Sequence, residues 1–480
     1  MSILPIFLSI TFSINNFYAM MSKRIFEGEI HLSIRGALAI TVGKGTQWAL
    51  RTFTNGGTSL PGKLAAKIDP AVLSHLAKDY EVVIITGTNG KTLTTSLTYH
   101  VLQQKFNHVL TNPTGANMEQ GIISTFLEKR DSKANNKKIA ILEVDEASLI
   151  HVTKYIKPSI IVNTNVFRDQ MDRFGEIYTI YQKMVDGAAQ APNATILANG
   201  DSPIFHSKDL KNPQIYFGFN HEKDGETMAH YNTDGVLCPN CQSILHYKFN
   251  TYANLGKYYC PNCDFKRPEL KYAVTAVDHL DYQSSTFEID GRPFKINVAG
   301  LYNIYNALAA YSVGREFGLT PEEIQSGFSS AEQKFGRQET IQIDNKTIVL
   351  NLIKNPVGLN QIIDLLDYEK DPFTVAVVLN DRPADGTDVS WIWDGEFEKL
   401  VEHTIPSVSV SGIRRDEMNL RLKVAGIPEE KMNVYDSVNE LIESFQQEPT
   451  EKIYVMATYT GVLNLRKVLA DRGYIKERMK

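Results

Sequence analysis

A chain of 480 residues with 43% hydrophobic and 22% charged residues has the make-up of a globular protein of several domains, since one core rarely grows past roughly 250–300 residues. A net charge of −5 excludes a general polyanion binder. The four cysteines, Cys238, Cys241, Cys260 and Cys263, form two close pairs, which excludes a secreted scaffold whose disulfides are spread through the chain.

The chain opens on MSILPIFLSITFSINNFYAM, which is apolar but has no Lys or Arg ahead of the apolar run and is broken by Asn15 and Asn16. It is a poor signal peptide and too short for a comfortable bilayer span. Residues 1–21 are therefore set apart as an extension, with Met20 and Met21 as candidate starts, and 22–55 as an N-terminal segment. Residues 30–68 hold Arg35, Lys44, Arg51, Lys63 and Lys67 and no Asp or Glu. Such a stretch is either an ordinary basic surface or a face toward pyrophosphate or an anionic membrane.

From Glu81 the pattern alternates. EVVIIT (81–86), HVLTN (108–112), KIAILEV (138–144) and SIIVNT (159–164) are nearly continuous in apolar character, as strands buried on both faces of a parallel sheet are. Segments 91–104, 119–130 and 176–190 supply the helices of a doubly wound α/β domain over 56–340. Residues 222–272 interrupt it as a polar insertion carrying all four cysteines. After Glu339 a second series begins, giving a Rossmann-like α/β C-terminal domain over 341–480. Its expected strands are TIVLNL (347–352), FTVAVVL (373–379), SVSVSG (407–412) and KIYVMAT (452–458), each followed by an amphipathic helix. The loop DRPADGTD, Asp381 to Asp388, follows one of them, and ligands gather at such carboxyl ends.

The strongest chemical signal is TGTNGKT, directly after EVVII and opening a helix. Gly87 and Gly90 let the amides of Gly87, Thr88, Asn89 and Gly90 close on phosphate oxygens; Lys91 offers positive charge, and the Thr92 hydroxyl a ligand for Mg²⁺. Only Thr88 and Asn89 separate the glycines, two fewer than in the general P-loop. A second metal carboxylate is expected at the end of KIAILEVDEAS. Glu143 is the choice, with Asp145 and Glu146 better suited to capping the next helix. NVFRDQMDRFG (165–175) is a further polar run at a strand end. The cysteines give two CPNC turns with 18 residues between them, the spacing of a four-thiolate zinc ribbon. Zinc so held has no open position, so the expected role is structural, and the insertion lacks the dense basic face of a nucleic-acid binder.

TGTNGKT, Glu143, the DxxDRFG run, GLYNIYNALAA (300–310) and FGRQE (335–339) occur in the order found in Mur ligases and folylpolyglutamate synthases, which the chain resembles over roughly 80–340. The resemblance implies a Mur ligase-type central P-loop domain using ATP and Mg²⁺, with Asn303 and Asn306 toward the adenine and Arg337 near the nucleotide. Two departures stand out. The P-loop comes too early for the UDP-binding domain of ligases acting on UDP-linked precursors, and Gln170 replaces a histidine that those ligases associate with metal. The CPNC pairs, KNPVG (354–358) and NDRPADGTDVSWIWD (380–394) narrow the likeness to the MurT family, ligase subunits of lipid II isoglutaminyl synthase.

That likeness implies amidation of the α-carboxyl of D-glutamate in the lipid II stem peptide at the inner face of the membrane. Ammonia would come from a GatD-like glutaminase partner. All cysteines here are committed to zinc, so the glutaminase nucleophile must lie on the partner. The resemblance suggests that this chain lends the acid of the partner's triad, with Asp388 the choice and helix capping its plain alternative. A ligase joining an amino acid, or a non-catalytic ATP-binding zinc-ribbon module, are the rival readings.

Overall fold

In the computed structural model, the described residues are 34–53, 59–112, 115–129, 137–168, 176–220, 227–230, 234–331 and 338–476. The chain divides into two compact units, one of Met1–Asp79 with Glu119–Arg130 and one of Tyr80–Met118 with Asp131–Lys480. The first is helical: Ile34–Phe53, Leu60–Ile68, Val72–Ala77 and Glu119–Lys129. The last of these was expected among the crossover helices of the α/β domain. It forms, but it belongs with the N-terminal helices, where its Leu127 meets Gly43 and Ala65 lies close by.

The second unit contains two large sheets. In chain order the first has β1 (Tyr80–Thr86), β2 (His108–Thr111), β3 (Lys138–Glu143), β4 (Ile160–Asn163), β5 (Thr195–Asn199) and β6 (Gln214–Phe219). A small antiparallel sheet follows, β7 (Thr227–Met228), β8 (His246–Tyr252) and β9 (Leu255–Tyr259); then β10 (Tyr272–Leu280), β11 (Ser285–Ile289) and β12 (Arg292–Ile296) complete the first sheet. Its order is β12-β11-β10-β6-β5-β4-β1-β3-β2, parallel except at the β10-β11-β12 edge. Strand β1 thus lies between β3 and β4, with Ile85 level with Glu143 on one side and Val162 on the other. Both neighbours end where the P-loop begins. The apolar runs fill β3 and β4 with buried residues, as a sheet covered on both faces requires.

The second sheet has β13 (Glu339–Ile343), β14 (Lys346–Leu352), β15 (Thr374–Val378), β16 (Val408–Ser411), β17 (Met432–Val434) and β18 (Lys452–Ala457), in the order β13-β14-β18-β15-β16-β17. All pairs but β13-β14 are parallel. Helix Pro356–Leu366 starts cleanly because the Asn355 side chain accepts from the Gly358 amide at 2.8 Å. The amphipathic helix expected after β15 is not there. Two short 3₁₀ segments, Ser390–Asp394 and Phe397–Glu402, take its place. The buried Arg421 guanidinium donates to the carbonyls of Ile392 (3.0 Å) and Gly395 (2.6 Å), satisfying groups that a continuing helix would have used. Among the described residues no helix is long and apolar enough to cross a membrane.

Candidate active site

The P-loop is locked from the β4 side. Asn165 accepts the Thr88 amide on its carbonyl (2.9 Å) and the Asn89 amide on its side chain (2.8 Å), and returns a bond to the Asn89 carbonyl (3.0 Å), so these two amides, expected to face phosphate, are instead spent on holding the loop. Thr164 donates to the same carbonyl at 3.1 Å. Gly87 has φ +132° and a Cβ there would come within 2.3 Å of the Thr164 hydroxyl oxygen. Gly90 has φ +83°, and a Cβ there would come within 2.0 Å of Asn306 Oδ1. Helix Lys91–Gln103 then begins, and its first-turn amides have no intrahelical acceptors, so this end suits an anion.

Lys91 is buried. Its ammonium donates to the carbonyls of Gly87 and Thr88 and to Glu146 Oε2 at 3.1 Å. Burial opposes its charge, yet Glu146, Asp145 and Glu143 outweigh burial and hold its pKa above the ordinary value. For Glu146, burial is likewise overcome, by Lys91 and then Lys354, and the carboxyl stays below its usual range. Asp145 moves the other way, pushed up by burial and by Glu146. The three acids have separate tasks. Glu143 has its backbone bracketed by the Asn112 side chain, with both bonds 2.9 Å, and its carboxylate accepts from Asn117 at 3.3 Å. Asp145 shapes the turn, accepting the Ala147 amide at 3.1 Å. Glu146 neutralises Lys91.

A cleft opens from the P-loop toward the second sheet, with Thr92 and Asn303 among its lining residues. Asn303 donates to the Ala299 carbonyl (2.7 Å) and accepts from Asn306 (3.1 Å), leaving one donor and one acceptor position for a ligand. Asn306 is not at the cleft surface but beneath the P-loop, where it accepts from Thr94 at 3.2 Å. Asn89 and Asn355 exchange side-chain hydrogen bonds at 3.3 and 3.0 Å, tying the P-loop to the second sheet. Arg337 and the run from Asp169 to Gly175, including Gln170, lie outside the described residues.

The four cysteine sulfurs all lie within 4.8 Å of one another, with Cys238–Cys263 at 3.6 Å and Cys241–Cys260 at 3.4 Å. Tetrahedral zinc at about 2.3 Å from each thiolate separates them by roughly 3.8 Å, so the donor set fits that ion. The turns are tight for a local reason: the Cys238 amide donates to Ser243 at 2.7 Å and the Cys260 amide to Phe265 at 2.8 Å.

In the loop after β15, two acids face opposite ways. Asp385 is buried and accepts from the Thr460 amide and hydroxyl, both at 2.6 Å. Asp388 is exposed, and its Oδ1 accepts the Ser390 amide at 2.8 Å; the Ser390 hydroxyl, and then this amide, hold its carboxyl below the ordinary value.

Comparison with known proteins matches the Mur ligase middle domain over residues 85–314 and the MurT ligase C-terminal domain over 352–462. The subunit MurT of lipid II isoglutaminyl synthase (glutamine-hydrolyzing) from Streptococcus pneumoniae is 46% identical over 448 residues, 93% of this chain and 100% of that protein. The chain belongs to the MurT family. Its Staphylococcus aureus relative is 37% identical over 394 residues, 81% of this chain and 88% of that one. A pseudomurein peptide ligase type C from Methanothermus fervidus shares the fold, with a TM-score of 0.62 at 19% identity, covering 88% of this chain and 85% of that chain.

For a MurT-family chain, two parts of the site were not readable as such from sequence. Asn165 and Thr164 clamp the P-loop, and the only signal was the polar run starting at Asn165. Lys354 and Asn355 reach the cleft from the other sheet, and KNPVG marked them as family residues without showing where they go.

Proposed function

We propose that the chain is the ligase subunit that amidates the α-carboxyl of D-glutamate in the lipid II stem peptide, giving D-isoglutamine. The carrying observation is the cleft that starts at the P-loop, with Lys91 set among Glu143, Asp145 and Glu146 and with Lys354 and Asn355 on the facing wall. The printed names of the full-length relatives support the substrate. In this reading the domains run 56–340, with 222–272 as ribbon, and 341–480.

A carboxylate does not react with ammonia directly, because its leaving group would be oxide. The carboxylate oxygen attacks the γ-phosphorus of ATP, ADP departs, and an acyl phosphate forms. For this, Lys91 exchanges its contacts with the loop carbonyls and Glu146 for phosphate oxygens when ATP binds. Thr92 and Glu143 would hold Mg²⁺, which supplies further charge neutralisation. Neutral ammonia attacks the acyl carbon, loses a proton, and phosphate leaves. Asn303 and Arg337 are assigned to the nucleotide, and the four cysteines to structural zinc. Ammonia comes from a separate glutaminase subunit, to whose triad Asp388 lends its carboxylate. The exposure of Asp388 supports this. A location at the inner face of the membrane follows from the lipid-linked substrate.

The test is co-expression with a candidate glutaminase, followed by mass spectrometry of lipid II. One hydroxyl replaced by an amide nitrogen, dependent on ATP and glutamine, is the expected product. An added amino acid instead would identify an ordinary Mur-type ligase, and ATP binding without any product a non-catalytic module.

A further inference from the structure

The zinc-ribbon insertion is not a separate knob. Its hairpin, β8 and β9, has two different ends. Cys241 and Cys260 flank the open end, where Leu245, Tyr247, Tyr258 and Phe265 form a small core with the cysteines. At roughly 3.3 Å per residue the closed end lies about 20 Å away. There Phe249 and Leu255 belong to the main core of the P-loop domain, with Tyr252 and Ala253 packed against it.

That closed end is firmly placed. Ala253 and Asn254 make the turn with φ +45° and +56°. The Asn254 side chain braces it from within, accepting the His230 amide at 2.8 Å and donating to the carbonyls of His230 (3.0 Å) and Asp234 (3.1 Å). Thr251 meets Tyr305 at 2.9 Å, and Tyr305 donates to the fully buried Asp201 at 2.7 Å. Arg267, just beyond Cys263, pairs with the same carboxylate at 2.8 Å. Tyr305 stands on helix Leu301–Glu316, the helix that carries Asn303.

Tyr252 itself lines the cleft, beside Tyr302, Val298 and Asn303. Its ring leans on Phe167 (centroids 6.3 Å apart) and meets Tyr305 edge-on (5.8 Å). The P-loop residues Asn89, Gly90 and Thr92 line the same cleft as this apolar and aromatic wall, where Asn303 and Gln338 supply amides and a flat heterocycle can pack. We propose that Tyr252 is a nucleotide-binding residue that packs against the base, so that the zinc ribbon supports the ligand site as well as its own fold. This rests on the nucleotide reading above.

The test measures the affinity of ADP and of inorganic tripolyphosphate, both with Mg²⁺, and zinc content. Loss of one base–aromatic contact corresponds to a change of about tenfold. Tyr252→Ala should weaken ADP by about that factor, leave tripolyphosphate unchanged, and retain zinc. Tyr252→Phe should bind ADP as the wild type does. Chelating zinc from the wild type should weaken ADP selectively in the same way. If Tyr252→Ala fails to fold, Tyr252→Leu, which keeps apolar bulk without the ring, replaces it with the same expected readings. Unchanged ADP affinity in the variant, or parallel loss of ADP and tripolyphosphate, overturns the proposal. Wild-type protein that binds neither probe overturns the nucleotide reading and this inference with it, which separates the two failures.

Discussion

Strands β1 and β15 each lie inside a parallel sheet and each hand the chain to a loop at the carboxyl end, but the two loops treat their charges in opposite ways. After β1, Lys91 is buried with Glu146, and the P-loop amides are held by Asn165. After β15, the buried acid is Asp385, whose oxygens are taken by Thr460, while Asp388 faces outward. The same strand-to-loop topology thus encloses a paired charge in one place and presents an acid to the surface in the other. The difference lies in which neighbouring strand ends supply hydrogen-bond partners. Thr164 and Asn165, directly after β4, close over the first loop, whereas Thr458 and Thr460 after β18 hold Asn380 and Asp385 of the second and leave Asp388 outside.

If the outward acid serves a partner, Asp388→Asn breaks the comparison most sharply. Loss of the orienting carboxylate in a nucleophile triad costs on the order of 10⁴ in rate. Glutamine-driven amidation by the complex should fall by about that factor, while synthesis supplied with ammonium chloride continues. Equal loss of both rates would put Asp388 in the ligase site or the fold; loss of neither would put the triad acid elsewhere.

The enclosed site should respond differently. Lys91→Ala or Thr92→Ala should lower ATP turnover by about 10²–10³ with either nitrogen source, because charge stabilisation at the phosphoryl group is lost. Thr92→Ala is the cleaner variant, since removing Lys91 also leaves Glu146 buried without its cation. ADP release at the normal rate would defeat the P-loop assignment. Glu143→Ala should raise the Mg²⁺ requirement; full activity at low Mg²⁺ would transfer the metal role to Asp145 or Glu146.

A smaller effect tests the backbone. Gly90→Ala combines a left-handed φ with a Cβ 2.0 Å from Asn306 Oδ1, and should cost about 1–3 kcal/mol of stability. Denaturant unfolding measures it, and an unchanged midpoint would show that the loop relaxes freely.

The smallest effect concerns pH. Glu146 is held below its ordinary range, so it contributes stability that is fully present above its unfolded pKa of about 4.3 and is lost as pH falls through the lower folded value. The acid side of the stability profile should therefore be shallower in Glu146→Gln than in the wild type. Identical slopes would mean that other carboxylates carry the acid transition.

Periodicity and spacing were enough to read β1 to β4, the glycine turn that joins β1 to the helix Lys91–Gln103, and the cysteine cluster, because each depends on residues close in the chain. Buried parallel strands demand apolar runs, a turn with positive φ favours glycines at set positions, and CPNC turns converge their own thiols. Four features depended on tertiary structure. The helix Glu119–Lys129 joined the N-terminal helices, Arg421 replaced an expected helix by 3₁₀ turns, Asn165 and Asn355 closed on the P-loop, and the ribbon's hairpin carried Tyr252 to the cleft. Each of these joins groups tens to hundreds of residues apart, through hydrogen bonds and burial that local composition does not encode. Asn89 and Asn355, 266 positions apart, bond because both sheets direct their strand ends at one cleft.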